Sequence, residues 1–148
     1  MKTLAKTLAA ALIAVSTFTM AAGKPVGDNS KKAVVNLSTA DLAIDHYVAV
    51  ITEGQSAGVE QLFTSDFKKK VQASEDKTNS RSEVISFLKK QKGEQLNCKT
   101  STTIVEQSSD YMVAKVTQQF EGFTKTDLIT LINDGGNWKV SQSINSYK

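Results

Sequence analysis

The order of apolar and polar residues divides the chain into a helical first part and a strand-rich second part. From residue 41 to residue 53, apolar side chains recur at intervals of three and four positions, which predicts an amphipathic helix. Ser38 or Thr39 can cap its first turn, and Gly54 stands where a helix commonly ends. We therefore predict a first helix of about three and a half turns.

Two further helices are predicted before the pattern changes. A short one begins after Ser56, where Val59, Leu62 and Phe63 share one face. The next begins at a capping box, in which Ser80 and Glu83 can exchange hydrogen bonds between side chain and backbone. It ends at Gly93 after a lysine-rich last turn that complements the helix dipole. Between these helices, residues 68–79 form either a short edge strand followed by a loop or a solvated loop throughout.

From Leu96 onward the apolar period becomes two, which predicts strands. Short segments typical of turns separate them, so consecutive strands should pair as antiparallel hairpins. Helices followed by a run of strands indicate an α+β fold. We predict three N-terminal helices on the concave face of a curved antiparallel sheet of four main strands, with an additional short edge strand. The four strands are Leu96–Glu106, Tyr111–Phe120, Thr124–Asn133 and Trp138–Tyr147.

Residues 1–22 have the layout of a secretory signal peptide: two lysines, an uncharged apolar stretch and then small residues. The uncharged stretch is short and polar for a membrane-spanning helix, although an uncleaved anchor is the alternative. We expect export to the periplasm or the exterior, without stable membrane insertion after cleavage. Residues 23–37, which contain the one proline, are expected to be a flexible leader, with docking of residues 33–35 onto the body as the alternative for its end, and residues 38–148 the folded domain.

The composition excludes several classes of partner and site. The 148 residues carry a formal charge of +3, but residues 1–22 contain two lysines and no acid, so the exported chain has a charge of +1. That charge gives no electrostatic reason to expect nucleic acid as a partner. One cysteine and one histidine argue against a disulfide framework and against most metal sites. We therefore expect no cofactor and no metal.

Several strings resemble the nuclear transport factor 2-like superfamily, also called the cystatin-like α+β cone. They are AIDHYVAVITEG at 43–54, GVEQLFTSDF at 58–67, the capped helix at 80–90, and the closing hairpins that end in GNWKV at 136–140. The chain is most similar to the small secreted bacterial branch labelled putative lumazine-binding. The resemblance implies helices that close over a bent sheet, often with a pocket between them. Because the superfamily includes isomerases, dehydratases, cyclases and binding proteins, the fold does not give the function.

Strand alternation suggests which residues line such a pocket. In the last predicted strand, Trp138, Val140 and Gln142 should share the core face, and Gln118 should face inward from the strand at 111–120. Tyr47 lies on the apolar stripe of the first helix and could aim its hydroxyl into the pocket. Tyr47, Gln118, Gln142 and Trp138 are thus the candidate ligand-binding residues. The alternative for the two glutamines is that other buried groups satisfy them.

The strand at 124–133 is apolar on both faces, with Leu128 and Ile132 opposite Ile129 and Leu131. Helices can cover only one face, so a second subunit could cover the other. We therefore expect a homodimer formed through the outer sheet face. The alternatives are an exposed apolar patch or cover from the leader.

Candidate groups for catalysis are few. Asp127 could enter the interior only if the face assignment of its strand were reversed, and His46 is expected on a flank of the first helix. Cys98 is interpreted as a buried inert thiol. No catalytic residue is assigned, and the leading hypothesis is non-catalytic binding of a small apolar or aromatic ligand. The alternatives are a lyase or isomerase that uses Asp127, His46 or Tyr47, and a dimeric interaction module with no small ligand.

Overall fold

The computed structural model of the protein describes residues 34–72 and 77–148. The predicted signal peptide and most of the predicted leader lie outside these residues. The helices are α1 (Ala40–Thr52), α2 (Val59–Leu62) and α3 (Arg81–Lys90), and the strands are β1 (Phe63–Gln72), β2 (Lys77–Ser80), β3 (Lys99–Gln107), β4 (Tyr111–Gln119), β5 (Thr124–Asp134) and β6 (Asn137–Tyr147).

The strands of the described ranges form a single sheet in the order β2-β1-β6-β5-β4-β3. Neighbouring strands are antiparallel except for β1 and β6, which are parallel. The helices pack on one side of this sheet, here called the inner face, and bury its apolar side chains with their own. The opposite side is called the outer face. The predicted α+β class is confirmed.

Two details of the predicted architecture are wrong. The described sheet has six strands where four main strands and an edge strand were expected, and α2 is a single turn. Phe63, expected on α2, instead begins β1, which continues for ten residues beside β6. The main-chain pairing with β6 and the burial of Phe67 decide this conformation, and both come from distant parts of the chain. The expected edge strand is the end of β1, and β2 forms the edge.

The predicted helix ends follow from local chemistry. The Thr39 side chain accepts a hydrogen bond from the backbone N–H of Leu42 at 3.3 Å and so caps α1. The capping box of α3 is complete, since Ser80 N–H donates to the Glu83 carboxylate at 2.7 Å and Ser80 Oγ accepts from Glu83 N–H. Gly54 has φ +64°, and a Cβ there would lie 2.5–2.7 Å from the backbone at 91–94. Only glycine fits this close approach.

A β-bulge in β6 reverses the face of every residue after it. Val140 pairs with Leu131, but Gln142 pairs with Thr130, so Ser141 is an extra residue on β6. Before the bulge Val140 is buried on the inner face, and after it Gln142 is exposed on the outer face. The expectation that Gln142 faces the core is therefore wrong, because the side-chain alternation slips by one residue at the bulge.

The bulge also decides which residues of β6 meet β5 on the inner face. Ser143 pairs with Ile129, and Asn145 pairs with Asp127. All four side chains are buried. Asp127 therefore faces the interior. The sequence pattern allowed this orientation only if the faces assigned to its strand were reversed.

The folded part of the chain begins before α1. Leu37 is buried, and its carbonyl oxygen accepts a hydrogen bond of 2.7 Å from the backbone N–H of Trp138. Val35 is half-buried against the core. Leu37, predicted to lie at the end of a flexible leader, is thus fixed to the start of β6.

Among the described residues, no helix is both long enough and apolar enough to cross a membrane.

Candidate functional site

A cavity of about 270 Å³ opens between α1, α3, β1 and β2. Its walls are mainly apolar. Phe63 and Phe67 come from β1, Val84, Phe87 and Leu88 from α3, and Tyr47 and Ile51 from α1. A concave, mostly apolar site with a few polar groups is the usual form of a small-molecule site.

The aromatic side chains form the floor and the mouth of this cavity. The rings of Phe63 and Phe67 have centroids 4.5 Å apart, and the ring of Tyr47 meets Phe63 edge-on at 6.3 Å. Phe63, Phe67 and Tyr47 are buried, whereas Phe87 is 54% exposed. Edge-on and tilted contacts of this kind hold the rings in fixed positions, so the floor is preorganised. At the mouth, the ring of Phe87 stays exposed to solvent.

Polar side chains line the side of the cavity formed by β1 and β2. Lys69 and Asn79 are directly paired residues of these strands, and Lys77 is paired with Val71. Glu83 stands at the start of α3, where hydrogen bonds from the Ser80 backbone and hydroxyl lower the pKa of its carboxyl group. The carboxylate that lines the cavity is thus already engaged in capping a helix.

Behind Tyr47 lies a buried network centred on Asp127, which is 1% exposed. The Tyr47 hydroxyl donates to one carboxylate oxygen of Asp127, and the Ser143 hydroxyl donates to the other at 2.5 Å. Burial and the charge of Asp127 raise the pKa of Tyr47 well above its usual range. Tyr47 therefore keeps its proton and serves Asp127 as a donor, which is how a buried carboxylate is satisfied.

Asn145 continues this network with one unused group. Its Oδ1 lies 3.3 Å from Ser143 Oγ, while its Nδ2 is buried and has no hydrogen-bond partner among the described residues. Asn145 does not line the cavity. Since buried polar groups normally have a partner, this amide is an exception within an otherwise bonded cluster.

Gln118 is buried on the inner face but is bonded to protein groups. Its Oε1 accepts a hydrogen bond of 3.0 Å from Lys125 Nζ, and its Nε2 lies 4.0 Å from Cys98 Sγ. Burial lowers the pKa of Lys125, and the charge of Asp127 acts in the opposite direction. Gln118 is not among the residues that line the cavity, so its contact with a ligand stays a prediction.

The structure brings together only part of the predicted candidate set. Tyr47 lines the cavity, whereas Trp138 is buried in the core beside Leu37 and Gln142 is exposed on the outer face. His46 is buried against the turn that contains Gly58, and burial lowers its pKa. No hydrogen bond between His46 and Asp127 occurs in the described structure.

Sequence reasoning placed Asp127 in the interior only on a reversed face assignment, and it missed Ser143 as a neighbour of the site. The alternation of β5 puts Asp127 on the same face as Ile129 and Leu131. Since both of these are fully buried, the alternation by itself indicates that Asp127 faces the interior. The position of Ser143 depends on the bulge at Ser141, and a period-two pattern does not reveal an inserted residue.

Within the ranges that the structure describes, no three His, Cys, Asp or Glu side chains lie close enough to hold a metal ion.

Comparison with known families decides the affiliation. The family model described as "Putative lumazine-binding" matches residues 36–144, which include every helix and nearly every strand. The chain belongs to this putative lumazine-binding family. The resemblance to the nuclear transport factor 2-like superfamily is confirmed by the family match and by solved structures of the same fold.

The solved structures have low sequence identity and show the fold alone. A nuclear transport factor 2-like protein of unknown function from Silicibacter pomeroyi has a TM-score of 0.59 at 18% identity, covering 73% of this chain and 90% of its own. One from Methylobacillus flagellatus has a TM-score of 0.59 at 13% identity, covering 79% and 98%. A putative ketosteroid isomerase from Parabacteroides distasonis has a TM-score of 0.55 at 10% identity, covering 80% and 92%. The comparison with curated proteins gave no match.

Proposed function

We propose that this protein binds a small apolar or aromatic ligand in the cavity between α1, α3, β1 and β2, without transforming it. The observation that carries the proposal is the cavity itself, about 270 Å³ with phenylalanine rings at its floor and mouth. Ligand sites usually measure about 300–1,000 Å³, so this one suits a compact ligand of up to three rings. The family description, lumazine-binding, agrees with a planar ring but does not identify it.

The arrangement of titratable groups supports binding over catalysis. Asp127 does not line the cavity, and Tyr47 and Ser143 already donate to its two oxygens. His46 lies against the turn at Gly58. A general base must come within hydrogen-bond reach of the proton that it removes, and neither group is placed for that.

A lyase or isomerase of the same fold is the second candidate, because Tyr47 both lines the cavity and contacts Asp127. In that function the Tyr47 hydroxyl would have to leave Asp127 and donate to a substrate. The third hypothesis, an interaction module with no small ligand, requires a cone that its own side chains fill. The cavity favours the ligand-binding function over this one.

The test fills part of the cavity with a larger side chain on β1. Val71, half-buried on β1, lines the cavity, so Val71→Phe should fill part of it. The neutral probe N-phenyl-1-naphthylamine should increase in fluorescence with the wild-type protein and bind at least ten-fold more weakly to the variant. Val105→Phe is the control, since Val105 is an exposed valine of β3. Probe binding that Val71→Phe leaves unchanged would refute the proposal.

We also propose that the protein is exported and forms a homodimer through the outer face. Leu128 is 37% exposed there, and it is paired with Ile144 on the adjacent strand. An apolar row on an uncovered sheet face is typical of an interface. Leu128→Glu should convert a dimer into a folded monomer in sedimentation velocity. A wild-type monomer at micromolar concentration would exclude the dimer.

The proposal of export rests on the signal-peptide layout of residues 1–22. N-terminal sequencing of the protein isolated from the producing cell should find these residues removed, and a chain that still begins at Met1 would exclude cleavage.

A further inference from the structure

We infer that the ligand of this cavity carries an acidic group on its ring, such as a carboxylate, and that Lys69 binds this group. The inference rests on the proposed function and adds the chemical class of the ligand. It starts from the contrast between the apolar floor of the cavity and its cationic β1–β2 side.

Lys69 is placed at the cavity by its strand. It lies on the inner face of β1, two residues after Phe67 and two before Val71, and all three side chains line the cavity. Across the sheet it is paired with Asn79 of β2 and Ser143 of β6. The side chain is half-buried. Its position is therefore fixed from both sides by main-chain pairing.

No carboxylate of the described residues forms a salt bridge with Lys69. Asp127 lies on the same face two strands away, but its oxygens accept from Tyr47 and Ser143. A half-buried ammonium group loses part of its hydration and is stabilised by an anion that replaces it. An acidic group on the ligand would supply that anion within the cavity.

The other polar side chains that line the cavity also favour a negatively charged ligand. Lys77 is a second cation, exposed at the rim, and Asn79 adds an amide beside Lys69. Glu83 is the one carboxylate among the lining residues, and its oxygen already accepts hydrogen bonds from the Ser80 backbone and hydroxyl. The charge of Lys77 also acts on Glu83 and lowers its pKa, so Lys69 is the cation left for an anionic ligand. Two lysines and one carboxylate give the lining a net charge of +1 and hence a preference for anions.

Tyr47, whose ring lies on the cavity floor, already uses its hydroxyl hydrogen in a bond within the protein. The Tyr47 hydroxyl donates to Asp127, so it has no hydrogen to give to a ligand without breaking that bond. The rings of Phe63 and Phe67 offer only apolar contact. A bound ring would therefore lie over the phenylalanines with its acidic group toward Lys69.

Three one-ring probes of similar size separate charge from shape: benzoate, benzamide and benzylamine. Each is titrated by calorimetry into the wild-type protein at low ionic strength. Benzoate should bind about ten-fold more tightly than benzamide, the factor expected for one charge-assisted hydrogen bond. Benzylamine should bind more weakly than either because the lysines repel it.

Two adjacent lysines of β1 provide the matched variants. Lys69→Met keeps most of the side-chain length and removes the charge, so it should bring the benzoate-to-benzamide ratio close to one. Lys68→Met is the control, because Lys68 is exposed on the outer face opposite Gln142 and does not line the cavity. It should leave the ratio unchanged.

The outcomes distinguish the two proposals. If benzamide binds as well as benzoate, or if Lys69→Met keeps the wild-type ratio, the acidic-ligand inference is wrong while the cavity remains a ligand site. If none of the three probes binds and N-phenyl-1-naphthylamine also fails to bind, the proposed function itself is wrong, and the inference fails with it.

Discussion

Two groups of polar side chains on the inner face of the sheet differ in what they contact. On β5 and β6, Asp127 and Ser143 are fully buried, and their side chains bond to each other and to Tyr47. On β1 and β2, Lys69 and Asn79 are half-buried and line an open cavity. The first group is satisfied within the protein, while the second is accessible to a small molecule. Polar residues on one sheet face can thus serve either the fold or a ligand, and their hydrogen-bond partners tell which.

The largest expected effect comes from removing the centre of the buried group. Asp127→Ala leaves the hydroxyls of Tyr47 and Ser143 buried without their acceptor, so we expect a loss of about 3 kcal/mol in the free energy of unfolding. Urea denaturation measures it. Asp134→Ala is the control from the same strand, because its ion pair with Lys139 is largely exposed and should contribute less than about 1 kcal/mol. Equal losses in both variants would contradict the assigned role of Asp127.

A smaller effect separates the ring of Tyr47 from its hydroxyl. Tyr47→Phe removes one hydrogen bond to Asp127 and should lower the free energy of unfolding by about 1–2 kcal/mol. The ring stays against Phe63, so affinity for N-phenyl-1-naphthylamine should change by less than two-fold. A large loss of affinity at unchanged stability would instead place the hydroxyl in the binding site and strengthen the case for an enzyme.

The smallest effect concerns the cavity side. Lys69→Met should change the free energy of unfolding by less than about 1 kcal/mol, because Lys69 forms no ion pair among the described residues. The same substitution should nevertheless remove the preference for benzoate. Stability and ligand preference would then depend on different residues of the inner face. A marked loss of stability in this variant would contradict the separate roles assigned to the two groups.

Features fixed by local chemistry could be predicted from the sequence. The capping box at Ser80 and Glu83 depends on four consecutive residues, and it forms as predicted. The stripe of α1 placed Tyr47 on the buried side by its three- and four-residue spacing alone. The α+β class followed from the change of period near Leu96.

Features fixed by distant partners could not be predicted in the same way. Phe67 and Val71 are the apolar residues of the segment 64–72, and their spacing of four fits a helix or a strand. The parallel pairing with β6, some 75 residues later in the chain, decides for the strand. The extra residue Ser141 leaves no mark in the alternating pattern, yet it moves Gln142 to the outer face and Ser143 to Asp127. The predicted inward orientation therefore holds for Tyr47 and fails for Gln142, whose face the bulge changes.

A crystal structure of the protein with benzoate tests the central claim most directly, because it shows which group of the inner face meets the ligand. We predict the ring over Phe63 and Phe67, the carboxylate within hydrogen-bond distance of Lys69 Nζ, and the bonds of Asp127 to Tyr47 and Ser143 unchanged. A benzoate bound at Asp127 with the Tyr47 hydroxyl turned toward it, or an unoccupied cavity at saturating concentration, would contradict this account.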